Sequence, residues 1–242
     1  MSLPYNIPKA LLAVGTNIKT VKSDKASEYL TAIMYLAPAK QNTKGVNLCP
    51  KASQGCLQAC LYTAGRGKFS NVQAARVNKS DYFVADRPAF ITQLHKDIAK
   101  HTKKCKALGK KPAIRLNGTS DILWERYINM SLYPEVQFYD YTKWSPWERE
   151  KVESIPNYHL TFSRAEDTSD SMVKRMITQK QVSIAVVFSS KELPKTWLGN
   201  PVFNGDLTDL RFLDPAGHII GLSAKGDAKK DTSGFVIHQE AA

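Results

Sequence analysis

Apolar and polar positions along this chain switch repeatedly between a strand-like and a helix-like period. Glu28 to Pro38 (EYLTAIMYLAP) is rich in β-branched and aromatic residues and reads as a strand. A polar loop, QNTKGVN, leads from it to Cys49, and a helical pattern runs from Gly55 to Leu61 until Gly65-Arg66-Gly67 breaks it. Asn71 to Ala85 reads as a helix. Pro88 sits well in the first turn of another, which runs to about Leu108 and stops at Gly109. After it the chain alternates. Ala113–Asn117, Val136–Tyr139, Tyr158–Phe162 and Val182–Phe188 read as strands, with helices over Ile122–Leu132, from Ser145 onward, and over Ser169–Gln179. Ser145-Pro146-Trp147-Glu148 has the residues of a capping box with proline at the first helical position. Val202–Phe203, Leu210–Leu213 and His218–Leu222 read as short strands. Repeated β–α units predict an α/β fold, a full or partial (β/α) barrel with mainly parallel strands. No linker-like stretch divides the chain, so residues 1–242 are expected to form one domain, with 1–27 as an N-terminal arm.

Charge adds one constraint. A formal net charge of +12 favours polyanionic partners. With no recognition motif, it points to weak, salt-sensitive, sequence-independent nucleic-acid binding, for which the basic run Lys100 to Lys111 is the candidate surface. Met1 to Thr16 does not read as a secretory signal, and no stretch approaches the ~18 apolar residues of a membrane span. A reducing cytoplasm is therefore expected, where four cysteines read as ligands, catalytic groups or core residues before disulfides.

Three of those cysteines, Cys49, Cys56 and Cys60, form the pattern C-P-x5-C-x3-C. Cys56 and Cys60 share a face if helical, and the preceding loop can fold Cys49 back toward them. Three convergent thiolates suit a [4Fe–4S] cluster with one iron left open. Zinc with a histidine as fourth ligand, or three unrelated buried thiols, are the competing readings. Cys105, in a basic helix end, is expected to be a surface thiol; as a fourth ligand it would close the cluster.

The cysteine segment, with Gln73-Ala-Ala-Arg76-Val-Asn78-Lys79 after it, resembles a bacteriophage iron–sulfur protein family with radical-SAM-like features. Ile114-Arg115-Leu-Asn117-Gly118-Thr-Ser-Asp121, Tyr127, and Pro134 through Phe138-Tyr139-Asp-Tyr141-Thr142-Lys143 carry the likeness further, over roughly residues 45–165. The resemblance implies a (β/α) barrel, a cluster on the three cysteines and a phage-encoded protein of the host cytoplasm. It delivers no reaction. The chain lacks the radical-SAM C-x3-C-x2-C spacing and a Gly-Gly-Glu segment, so S-adenosylmethionine is a possible cofactor that these residues do not favour. The resemblance implies further cysteines near the C-terminus, but Gly221 to Asp227 has none.

In such a fold, functional side chains gather at the C-terminal ends of the strands. Asn117, Asp121, Tyr141, Lys143, Ser163 and Arg164 are the candidates for binding a cofactor or a small polar or anionic ligand, with Asn204 and Asp206 further along the same mouth. Lys143 and Arg164 are the expected anchors for a phosphate or carboxylate. The turn-forming roles of Asn and Asp compete with those assignments. Gly65-Arg66-Gly67-Lys68 is a possible phosphate cradle without the spacing of a Walker loop. Three functions stay open: a redox enzyme, a non-catalytic cluster protein, and a basic protein binding nucleic acid or a host factor. The oligomeric state is not legible.

Overall fold

A computed structural model describes residues 5–238. Its framework is a mostly parallel sheet. In chain order the strands are β1 (Leu12–Val14), β2 (Tyr29–Met34), β3 (Lys111–Arg115), β4 (Gln137–Thr142), β5 (Tyr158–Ser163), β6 (Ile184–Phe188), β7 (Thr196–Trp197), β8 (Asn200–Asn204), β9 (Ile219–Ser223) and β10 (Val236–Ile237). Their spatial order is β1-β2-β3-β4-β5-β6-β9-β8-β7. From β2 to β8 every neighbour is parallel, and only β1 and β7 at the margins run antiparallel. Among the described residues the margins do not pair with each other, so the mostly parallel sheet is not closed into a full barrel.

Among the described residues five α-helices accompany the sheet: α1 (Ile18–Ala26), α2 (Gln54–Gln58), α3 (Ser70–Ala85), α4 (Arg87–Ala107) and α5 (Asp170–Lys180). Helix α4 begins where Asp86 accepts a hydrogen bond from the Ala89 amide beside Pro88, and it ends before Gly109 at φ +63°. Its buried residues Phe90, Leu94 and Ile98 pack with Ala32, Met34, Ile114 and Phe138 in the larger core. Met176 and Val173 of α5 cover Ile184, Val186 and Ile219. These strands are apolar on both faces because the other face is covered too. There the loop after β8 folds in, placing Leu210 against Ala113 and Tyr139. Asp209 in that loop accepts from Thr20 Oγ1 of α1 (3.3 Å), and its amide donates to Ser23 Oγ (2.8 Å). Loop and helix thus bridge the seam that the ladder leaves open.

Several expectations shift. Residues 5–27 are not a loose arm: they contribute β1 and α1, and Tyr5 stacks on Tyr82 at 4.8 Å. Ile122–Leu132 is not a helix but two 3₁₀ turns, pinned by the buried Trp124 and Met130. Ser145 and Glu148 do form the capping box, yet the turn it opens closes after one round. Leu210–Leu213 is a 3₁₀ turn rather than a strand, because Leu210 and Phe212 pack on Ala113, Tyr139 and Tyr29 of the sheet. Cys105 is fully buried rather than a surface thiol, with its sulfur 3.5 Å from His101 Nε2. Apolar contacts of α4 and the start of β2 enclose it, at the end of the sheet opposite the C-terminal strand ends.

Candidate metal centre

Parallel strands deliver their C-terminal ends to one side, and the cysteine segment lies across that side. Cys49 is anchored first. The Asp121 amide donates to Leu48 O (2.9 Å), the Ala39 amide to Cys49 Sγ (3.3 Å), and Cys49 Sγ to Thr119 O (3.7 Å). The loops after β2 and β3 therefore grip this thiol from both sides.

Cys56 lies within α2 and Cys60 just beyond it. Glu166, in the loop after β5, holds that helix: its carboxylate accepts from Ser53 Oγ and from the Gly55 amide, both at 2.6 Å. Burial pushes the Glu166 carboxyl up, but these bonds outweigh it and hold it below the usual carboxylate range. Only glycine fits at 55, since a Cβ would stand 2.2 Å from Ser233 Oγ and 2.7 Å from Glu166 Oε2. The C-terminal segment closes the roof. Strand β10 pairs with β6 at Val187 and Phe188, beyond the Ile184 and Ala185 that β5 uses. Ala224, Ala228 and Phe235 then pack with Ala59 and Cys56. The stretch that lacks cysteines is thus a wall of small residues behind Cys56.

None of the four cysteines is joined in a disulfide. Cys49, Cys56 and Cys60 lie within electrostatic reach of one another, with Asp121 and Lys143 beside them. Burial pushes the Cys49 thiol up to about 12 and raises those of Cys56 and Cys60 as well. Among the described residues no group of three or more His, Cys, Asp or Glu side chains converges as around a single metal ion.

The other candidates divide. Asn117 is committed to its turn: Oδ1 accepts from Ser120 Oγ, the Ile122 amide and Trp124 Nε1, while Nδ2 donates to Ile122 O. Asp121 faces the cysteines but accepts from Thr142 Oγ1 (2.9 Å) and the Lys143 amide (2.8 Å), and burial raises its carboxyl. Lys143 stands beside Cys56, its charge disfavoured by burial. Its Nζ donates to Ser163 O (2.9 Å), Ser163 Oγ (3.2 Å) and Arg164 O (3.3 Å). Arg164 clamps the roof by donating to Gly234 O and Phe235 O. Tyr141 shares a face of β4 with Tyr139, and the Arg115 guanidinium lies 4.7 Å from its ring. Asn204 and Asp206 shape the turn after β8, with Asp206 accepting from the Ser223 amide and Lys225 Nζ.

Two residues that the sequence reading passed over belong to the site. Glu166 follows Arg164 by two positions at a strand end, where the rule for parallel sheets would have reached it. Arg76 of α3 lies within electrostatic reach of Cys60, its guanidinium 4.8 Å from the Tyr35 ring and 5.3 Å from the Tyr62 ring. The signal was a charge on the buried helix face, four residues before Ser80 and seven before Phe83. Gly65–Lys68 is a 3₁₀ turn. Its Gly67 makes room for Arg76 Nη1, which a Cβ there would approach to 3.2 Å. The basic run of α4 lies at the far end of the sheet, where Lys111 pairs with Glu28 at 2.8 Å.

The arrangement defines a mixed α/β protein with a cysteine-lined mouth at the C-terminal ends of a mostly parallel sheet. The family model described as Gene product 88 matches residues 10–239, so the chain belongs to that family of phage gene products. No curated protein and no solved structure matches it. Among the described residues no helix is long and apolar enough to cross a membrane.

Proposed function

We propose that this protein carries a [4Fe–4S] cluster on Cys49, Cys56 and Cys60 and binds a small anionic ligand beside it. One observation carries the reading. Three thiols from a twelve-residue segment lie within electrostatic reach of one another, on the strand-end side that also holds Asp121 and Lys143. Soft sulfur donors select iron–sulfur clusters or zinc. The thiols are not drawn together as around one ion. A cubane gives each thiolate its own iron, so it does not require the three thiols to close round one ion as zinc would.

When bound, the cluster supplies one-electron redox chemistry, with one iron free of protein thiolate. The chain's own residues do the rest. Lys143 places a positive charge beside Cys56 and stabilises its thiolate, while Glu166 keeps α2 in place. The polar mouth favours a protein that acts on a ligand over a pure electron carrier. Alanine substitutions test the assignment. Cys49→Ala, Cys56→Ala and Cys60→Ala are each expected to lose most of the iron after anaerobic purification, with Cys105→Ala retaining it. Equal loss in Cys105→Ala would remove the open iron from the account. Addition of S-adenosylmethionine to the reduced protein, read by electron paramagnetic resonance, tests that cofactor separately.

A further inference from the structure

The sequence singles out Lys143 and Arg164 as the groups that would hold an anion, but both already donate to protein oxygens, and Arg164, whose Nε is still unpaired, lies in the field of Asp170, Glu166, Asp167 and Asp231. A different cation in the same mouth has donors to spare. Arg76 is 8% exposed, and its Nε and Nη1 are buried without a hydrogen-bond partner among the described residues. Among the described residues, the ionisable groups that share its field are Tyr35, Tyr62, Cys60 and Lys79, and none is a carboxylate. A buried guanidinium without a counter-ion is costly, and so is each buried N–H left unpaired. The surroundings nevertheless hold it in place. The Tyr35 and Tyr62 rings flank the guanidinium, and the missing side chain at Gly67 leaves room for its Nη1, which a Cβ there would approach to 3.2 Å. Across Tyr35 lies Arg115 of β3, whose Nε is likewise unpaired.

We propose that Arg76 is the anion-recognition residue of the mouth and binds the carboxylate or phosphate of a small ligand seated next to Cys60. A planar guanidinium held at a fixed angle between two rings presents paired N–H groups to two oxygens of one oxyanion, which a lysine cannot match. This deepens the ligand half of the proposed function and does not depend on the cysteines carrying iron.

The test is titration of the full-length protein with inorganic phosphate and, separately, malonate, by calorimetry, in metal-free and anaerobically reconstituted forms. Saturable binding of at least one anion is expected in both forms. Arg76→Met should weaken it at least tenfold and Arg76→Lys should restore only part. The stronger of the two probes tells phosphate from carboxylate. Thermal unfolding supplies the second readout: Arg76→Met should be as stable as the native chain or more so, since it removes an uncompensated buried charge. Lys100→Ala, on the distant basic helix, should bind like the native protein. Absence of saturable binding by either anion overturns the proposal. So does unchanged binding in Arg76→Met, or a destabilised Arg76→Met that still binds. The cluster reading fails on a different result, the absence of iron and sulfide.

Discussion

Arg149 and Arg76 are both buried arginines stacked on tyrosine rings, and their surroundings differ in one respect. Arg149, 3% exposed, donates to both oxygens of Glu125 (3.0 and 2.6 Å) and to Tyr158 Oη (3.2 Å). Burial disfavours its charge, but Tyr158 and Glu125 more than restore it, so its pKa rises. Arg76 has no carboxylate, and burial lowers its pKa. One region closes its own electrostatics; the other leaves a cation waiting. The first arrangement is what a fold needs for stability, and the second makes sense only with an anion from elsewhere.

The largest expected effect separates the two directly. Arg149→Met should destabilise the protein by about 3–5 kcal/mol in chemical denaturation, because Glu125 is left buried and unpaired. Arg76→Met should not, and a comparable loss there would break the contrast.

Asp140 sharpens the picture of the closed region through pH. It accepts from the Asn117 amide (2.7 Å) and Tyr158 Oη (3.0 Å), yet burial pushes its carboxyl up to about 7. A folded-state pKa above the unfolded one means that folding favours the protonated form. That stability is complete below about pH 4 and is lost as pH rises through about 7, a change on the order of 4 kcal/mol. Asp140→Asn should flatten this part of the stability–pH curve. A native curve that rises over the same range would contradict the assignment.

Smaller is the effect expected at Gly55. Gly55→Ala forces Ser233 and Glu166 away from the start of α2 and should cost about 1–3 kcal/mol, as overpacking does. Hydrogen exchange should show loosening confined to residues 49–60 and 231–237. Uniform loosening would mean that the roof is not a separate unit.

These contrasts also mark what the sequence makes legible. Helices α3, α4 and α5 are readable because a cap, a proline or a glycine bounds a long periodic stretch, as Asp86, Pro88 and Gly109 do for α4. The parallel order follows from β–α alternation. Residues 122–132 fail because their apolar side chains serve two short turns around Trp124, and spacing alone reads the same as a helix. The turn at 210–213 fails for a similar reason: an apolar run fits a strand or a loop folded onto a sheet. In the site, the cysteines and the strand ends are legible, since chain order fixes which ends lie together. Which donors are spent is not. Lys143 and Arg164 are paired by backbone oxygens, and no pattern of side chains records that. Cys105 misleads because its basic neighbours are exposed while its own face of α4 is buried.

The account centres on the three-cysteine mouth, and metal content tests it most directly. Protein purified without oxygen should be brown, hold about four irons and four sulfides per chain, and give a cubane signal by electron paramagnetic resonance once reduced. Since three raised thiols must lose protons on loading, iron uptake should weaken steeply between about pH 8 and about pH 6. Stoichiometric zinc without sulfide in protein handled this way would contradict the cluster.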